Sequence, residues 1–166
     1  MANLKIVIDT TGSEAASKVL LDLLNEYPGL MGDVITFSTL EPDGGISFNP
    51  TSGAMFLSNR EFINGHVKQV CAYPFVVIYR AAPASEIQKI RIKEWLDRLG
   101  QWLERQPVLI GDEVYQIDKY PELSSGNRVI KTIETTNSAH CQAAYADGVE
   151  DWSISLSMRY ENEFDK

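Results

Sequence analysis

The sequence is poor in the residues that metal centres and nucleophilic enzymes depend on. In 166 residues it has two cysteines, Cys71 and Cys141, and two histidines, His66 and His140. Neither histidine has a second His or Cys at metal-ligand spacing. The cysteines show no metal or redox spacing either. They read as free thiols of a reducing compartment or as a disulfide pair. The phosphate-binding pattern G-x-x-x-x-G-K-[ST], the dinucleotide pattern G-x-G-x-x-G and the nucleophile elbow G-x-S-x-G are all missing. No run approaches the ~20 apolar residues of a membrane span. The N-terminal LKIVI is too short for a secretory signal and is ended by Asp9. Those features point to a chain made in the cytoplasm with no membrane partner. Positive charge is also scarce: 15 Lys and Arg against 23 Asp and Glu leave a net charge of −8. A sequence-specific nucleic-acid surface would usually be basic.

What is present is an ordinary globular composition, 44% hydrophobic and 23% charged. The length suits one domain that buries roughly 68–70% of its unfolded surface. The most regular stretch runs from Tyr73 to Gln116. Phe75 to Arg80 (FVVIYR) is a β-branched and aromatic strand. Pro83 breaks it, Ser85 and Glu86 open a helix, and Pro107 stops that helix. Ile92, Trp95, Leu96, Leu99, Trp102 and Leu103 recur at steps of three and four, so they form one apolar stripe. Two Trp at helical spacing read as core, and a sheet face is the natural surface to cover.

Elsewhere, LKIVID reads as a short strand or as the lead into a helix from about Glu14 to Tyr27, with Ser13 as N-cap and Pro28-Gly29 as its end. Val34 to Leu40 reads as a strand. Asp43-Gly44-Gly45 is a turn that sends Gly45 to Phe48 back as the second arm of a hairpin. His66 to Arg80 is one long strand or two, and Pro74 within it implies an edge, a bulge or a break. Glu113 to Lys119 and Arg128 to Thr136 read as strands, YPELSSGN as a loop, and Asn137 to Gly148 as an irregular connection. The last strand has the cleanest period. Trp152, Ile154, Leu156, Met158 and Tyr160 alternate with Ser153, Ser155, Ser157 and Arg159, as in an antiparallel strand with one wet face. The expected fold is α+β, a mainly antiparallel sheet packed against two helices in one domain over residues 1–166.

No residue set points to catalysis, a metal or a cofactor. His140-Cys141 has the residue types of a base and a nucleophile, but neighbours on an extended chain point to opposite faces. A small transferase using these two is one alternative function. Glu122, Glu134, Asp147, Glu150 and Asp151 read as a solvated acidic surface. The unusual feature is physical: Phe48, Met55, Phe56, Leu57 and Phe62, with Arg60 among them, crowd a turn-rich connection from Pro42 to Phe62. Long loops in compact domains are commonly functional. Apolar groups on one mark either a partner surface or a satellite cluster folded onto the core. Open sheet edges would add a second route to association, and an adaptor that binds through such an edge is a further alternative.

The stretch from Gly45 to Arg80, the helix segment IKEWLDRLGQWLE and the closing DWSISLSMRYE together resemble the minor capsid and tail-terminator proteins of phages with long non-contractile tails. Arg60 with Phe62-Ile63-Asn64-Gly65, the strand ending in Arg80, the Trp-Leu helix and the strand ending in Tyr160 carry the likeness. Residues 1–12 lie outside it. The resemblance implies an α+β virion protein without enzymatic activity or cofactor. It implies a ring, typically a hexamer, at the head-proximal end of the tail, in contact with the tail tube protein and the head–tail connector. An acidic chain would suit a bore through which DNA slides, because Lys and Arg contacts to phosphate are what hold DNA. On this reading Phe48, Met55, Phe56, Leu57, Arg60 and Phe62 are the candidate interface.

Overall fold

The computed structural model describes residues 9–123 and 127–166. The LKIVID segment, read as a short strand or as the lead into the first helix, falls largely outside them, as do residues 124–126 of the YPELSSGN loop. The architecture is α+β: two helices lie on one face of a six-stranded, mostly antiparallel sheet. In chain order the elements are α1 (Thr10–Leu24), β1 (Ile35–Phe37), β2 (Gly45–Pro50), β3 (Met55–Glu61), β4 (His66–Ala81), α2 (Glu86–Leu103), β5 (Val108–Ile110), β6 (Glu113–Tyr115), β7 (Arg128–Ala144) and β8 (Glu150–Asp165).

Helix α1 starts earlier than its sequence suggests. Its N-cap is Asp9, whose carboxylate accepts the Gly12 N–H at 3.0 Å. Ser13 is therefore inside the helix, and its hydroxyl accepts the Ala54 N–H instead. The helix ends at Leu24 rather than Tyr27, because Pro28 pushes the residue before it out of helical geometry; Tyr27 has ψ 122°. The Asn25 side chain then bonds both backbone groups of Ile35, at 2.8 and 3.0 Å, and pins the start of β1.

Helix α2 matches its stripe. Ser85 caps it by accepting the Gln88 N–H, and Gln88 reaches back to the Ala84 N–H. Ile92, Leu96, Leu99, Trp102 and Leu103 are buried, and Trp95 is half-buried. Tyr27 fits between the two tryptophans, at ring separations of 5.4 and 5.3 Å. Gly100 allows the helix to sit close on the sheet. A Cβ there would lie 2.7 Å from Ile154 Cδ1 and 2.9 Å from Thr135 Oγ1.

The spine of the sheet is the β4–β8 pair, in register from His66 opposite Asp165 to Ala81 opposite Glu150. β7 lies beyond β8, and β2 and β3 divide the other side of β4 between them. β2 pairs the Phe75–Arg80 half and β3 the Val67–Ala72 half. That division accounts for Pro74, which is in the centre of the sheet and not at an edge or a break. Its carbonyl accepts the Thr51 N–H, so its backbone faces the gap between β2 and β3. The donor that proline lacks is not needed where no ladder runs.

Other expectations need correction. β1 and β2 do not form a hairpin: Ile35 pairs with Ile46 in parallel. Residues 38–44 carry the chain back to the end it left, through Ser38 at φ 51° and a Glu41–Gly44 bridge. β1 has only three residues of VITFSTL. Glu113 to Tyr115 is strand, but it pairs only with β5 in a separate two-stranded hairpin, and the strand does not reach Lys119. Asn137 to Ala144 is no irregular connection. It continues β7, and four register shifts hide the alternation that would have announced it. Both cysteines are free, Cys71 buried and Cys141 exposed, so they do not pair.

Candidate interaction surface

The connection with the crowded apolar residues is not a loop. Two strands, β2 and β3, are laid along β4, and the pleat decides which way each side chain points. Phe48, opposite Val77, is fully buried and packs edge-on against Phe75 at 5.2 Å. It belongs to the core, and its place in the candidate interface is withdrawn. Phe56, opposite Cys71, packs half-buried against the same core. Met55 is half-buried opposite Ala72.

The rest of the set is outside. A register shift between Phe56 and Ser58 leaves Leu57 without a partner position, and it is 50% exposed. Arg60, opposite Lys68, is exposed, and its side chain makes no hydrogen bond or ion pair among the described residues. Phe62 closes the β3–β4 turn, its N–H donating to the His66 carbonyl at 2.8 Å, and its ring stays 42% exposed. Beside it Ile63 is fully exposed. Phe62 and Ile63 therefore share the β3–β4 turn, where with Asn64 and His66 they line a shallow apolar depression, while Leu57 stands apart from them in the middle of β3. Sequence reasoning missed Ile63, although its place before Asn64-Gly65 marks it as a turn-tip residue.

Two ion-pair locks hold this surface in place. At the β3 end, Arg128 Nε and Nη2 reach Asp9 Oδ2 and Oδ1, each at 2.9 Å, and the Tyr160 hydroxyl donates to Oδ2 at 2.9 Å. Burial raises the Asp9 pKa, but the Arg128 bonds, the Gly12 N–H and Tyr160 outweigh it, and the carboxyl ends below its usual range. Cys71 beside them is pushed up to about 11 by burial, so it is an inert thiol. At the opposite end, Arg80 Nε and Nη2 hold Asp151 at 2.7 and 2.9 Å, with Tyr145 donating to the same carboxylate. The Arg80 bonds lower the Asp151 pKa. Neither lock was legible, because each joins residues remote in sequence.

His66 ties down the chain end. Its Nδ1 lies 2.9 Å from Asp165 and its Nε2 3.5 Å from Glu163, and the bond to Asp165 is the main reason its pKa is raised. His140 and Cys141 sit next to each other on the β7 edge, opposite Ser153 and Trp152. The His140 ring bonds the Ser138 carbonyl, and the Cys141 thiol is directed at the Ala143 carbonyl. The Cys141 pKa is raised by burial and by Glu150, against what a nucleophile needs.

No family model matches the chain, and no curated protein matches it.

Among the described residues no group of three His, Cys, Asp or Glu is placed to hold a metal. No described helix is long and apolar enough to cross a membrane.

Proposed function

We propose that this chain is a structural protein of the head–tail junction of a long-tailed phage, a tail terminator. In this reading its subunits form a ring, a hexamer as the resemblance implies, that caps the tail tube and presents another surface to the head connector. It is assembled in the host cytoplasm and resides in the virion. It uses no cofactor, reads no nucleic-acid sequence and meets no membrane.

The observation that carries the reading is the apolar exposure along β3 and its turn to β4. Leu57, Phe62 and Ile63 stand exposed on the edge of a firmly paired sheet, inside the Gly45–Arg80 stretch that bears the resemblance. Clustered exposed apolar side chains mark association sites more often than solvent-facing accidents. The helices cover only one face, so among the described residues the other face and the outer strands are open to neighbours.

A transferase built on His140 and Cys141 is the weaker reading, since the thiol has a raised pKa and each side chain is engaged with a backbone carbonyl. The test is sedimentation with assembled tail tubes after light scattering of the protein alone. A ring mass and co-sedimentation are expected. A strict monomer that leaves the tubes unbound contradicts the proposal.

A further inference from the structure

Among the described residues, the half of the sheet that contains β3 is four strands wide, in the order β3–β4–β8–β7. Each pair in that row is antiparallel. With an even number of strands, the two outer ones run in opposite directions. A second copy placed alongside by rotation would therefore bring its β3 to β7 in antiparallel sense, continuing the pattern already present.

The rows match as well. Ser58 pairs with Val70, Val70 with Glu161, and Glu161 with Val129, so Ser58 and Val129 occupy the two ends of one row on one face. Hydrogen bonding alternates along such a row. The Phe62 N–H donates into β4, so the backbone of Ser58, four residues earlier, also turns inward to β4. The Glu163 N–H donates to the Asn127 carbonyl, so the backbone of Val129, two residues later, turns inward to β8. Across a junction these two would form a non-hydrogen-bonded pair, the kind in which side chains approach most closely. Leu57, 50% exposed, and Val129, 54% exposed, are the aliphatic groups that such a junction would cover. The incoming edge brings Arg60, whose side chain has no ion pair among the described residues, to a corner where Glu161 and Glu163 stand one strand in and are already paired with Lys68, Lys131 and His66. Beyond Ile130 the register shifts of β7 blunt the rest of that edge, which confines pairing to this corner.

We infer that a second copy of this chain docks its β3 edge on the Val129 end of β7, with Leu57 and Ser58 against Val129. The contact is head-to-tail, which is the type that closes rings. It deepens the ring reading above by naming the two surfaces, and it rests on that reading.

The test is a Ser58→Cys, Val129→Cys double variant in a Cys141→Ser background, sized by light scattering and then oxidised and run on denaturing gels. A ring mass with a ladder of crosslinked species is expected, while each single-cysteine variant stays uncrosslinked. A ring without the ladder, or self-crosslinking of either single variant, overturns the edge contact and leaves the ring reading standing. A monomer without crosslinks overturns the edge contact, and the ring reading falls with it if that monomer also leaves assembled tail tubes unbound. Leu57→Glu provides an independent arm, placing a carboxylate where the aliphatic Val129 would cover it. It should raise the concentration for half-assembly on the order of tenfold, with melting unchanged. Unaltered assembly contradicts the inference.

Discussion

Arg128 holds Asp9 through both carboxylate oxygens across 119 residues of sequence, and the pair joins the N-terminus of α1 to β7. Both side chains are nearly buried, at 11% and 7% exposure. Breaking such a pair from one side leaves a buried charge without its partner, at a cost of about 3–5 kcal/mol. Arg128→Met should lower the urea midpoint accordingly. A change below about 1 kcal/mol would show that the lock contributes little.

The same pair sets an acid dependence. The Asp9 carboxyl is depressed in the folded state, so its contribution is present above the ordinary carboxylate pKa of 3.8 and is lost as pH falls through the lower folded value. Urea unfolding between pH 5 and pH 2.5 should show the wild type losing more stability than Asp9→Asn. Parallel curves for the two would refute the assignment.

His66 gives the opposite sign. Its pKa is raised above 6.5 by Asp165 and Glu163, so its tie to the chain end is complete below 6.5 and is lost as pH rises through the higher folded value. The Lys166 N–H, bonded to the Gly65 carbonyl at 2.9 Å, reports on that end. Its exchange protection, corrected for the intrinsic rate, should fall between pH 6 and pH 8 in the wild type and stay level in His66→Gln.

Gly100 should resist replacement. Alanine normally favours a helix interior over glycine by roughly 0.5–1 kcal/mol. Here its Cβ would press on Ile154 and Thr135, and overpacking costs about 1–3 kcal/mol. Gly100→Ala should lower the melting temperature; a rise would mean that α2 can lift from the sheet without loss.

The apolar residues of β2 and β3 should separate cleanly. Phe48→Ala removes a fully buried ring and should cost about 3–5 kcal/mol. Leu57→Ser and Phe62→Ser should stay within about 0.5 kcal/mol in stability and weaken assembly instead. Calorimetry with light scattering on the same samples checks both halves.

The α2 stripe and the alternation of Trp152 to Tyr160 were readable because each follows one uninterrupted period against one surface. They were enough for two helices on a mainly antiparallel sheet. β3 and the far end of β7 were not readable. Leu57 interrupts the pairing of β3, and the repeated shifts along β7 turn its pattern over each time, so neither keeps a period of two. Phe48 and Phe56 looked exposed because their neighbours are turn formers, yet a strand paired with β4 carries both toward the core. Leu57, Arg60 and Phe62 kept their predicted exposure. Asp9–Arg128 and Arg80–Asp151 had no local signature, since tertiary pairing alone brings them together.

Negative-stain imaging of tail tubes assembled with and without the protein tests the central claim most directly. The account predicts a ring of density at one end of each tube, and tubes that stop growing once it is added. Tubes with bare ends and unchanged growth, at protein concentrations that saturate any binding, would contradict it.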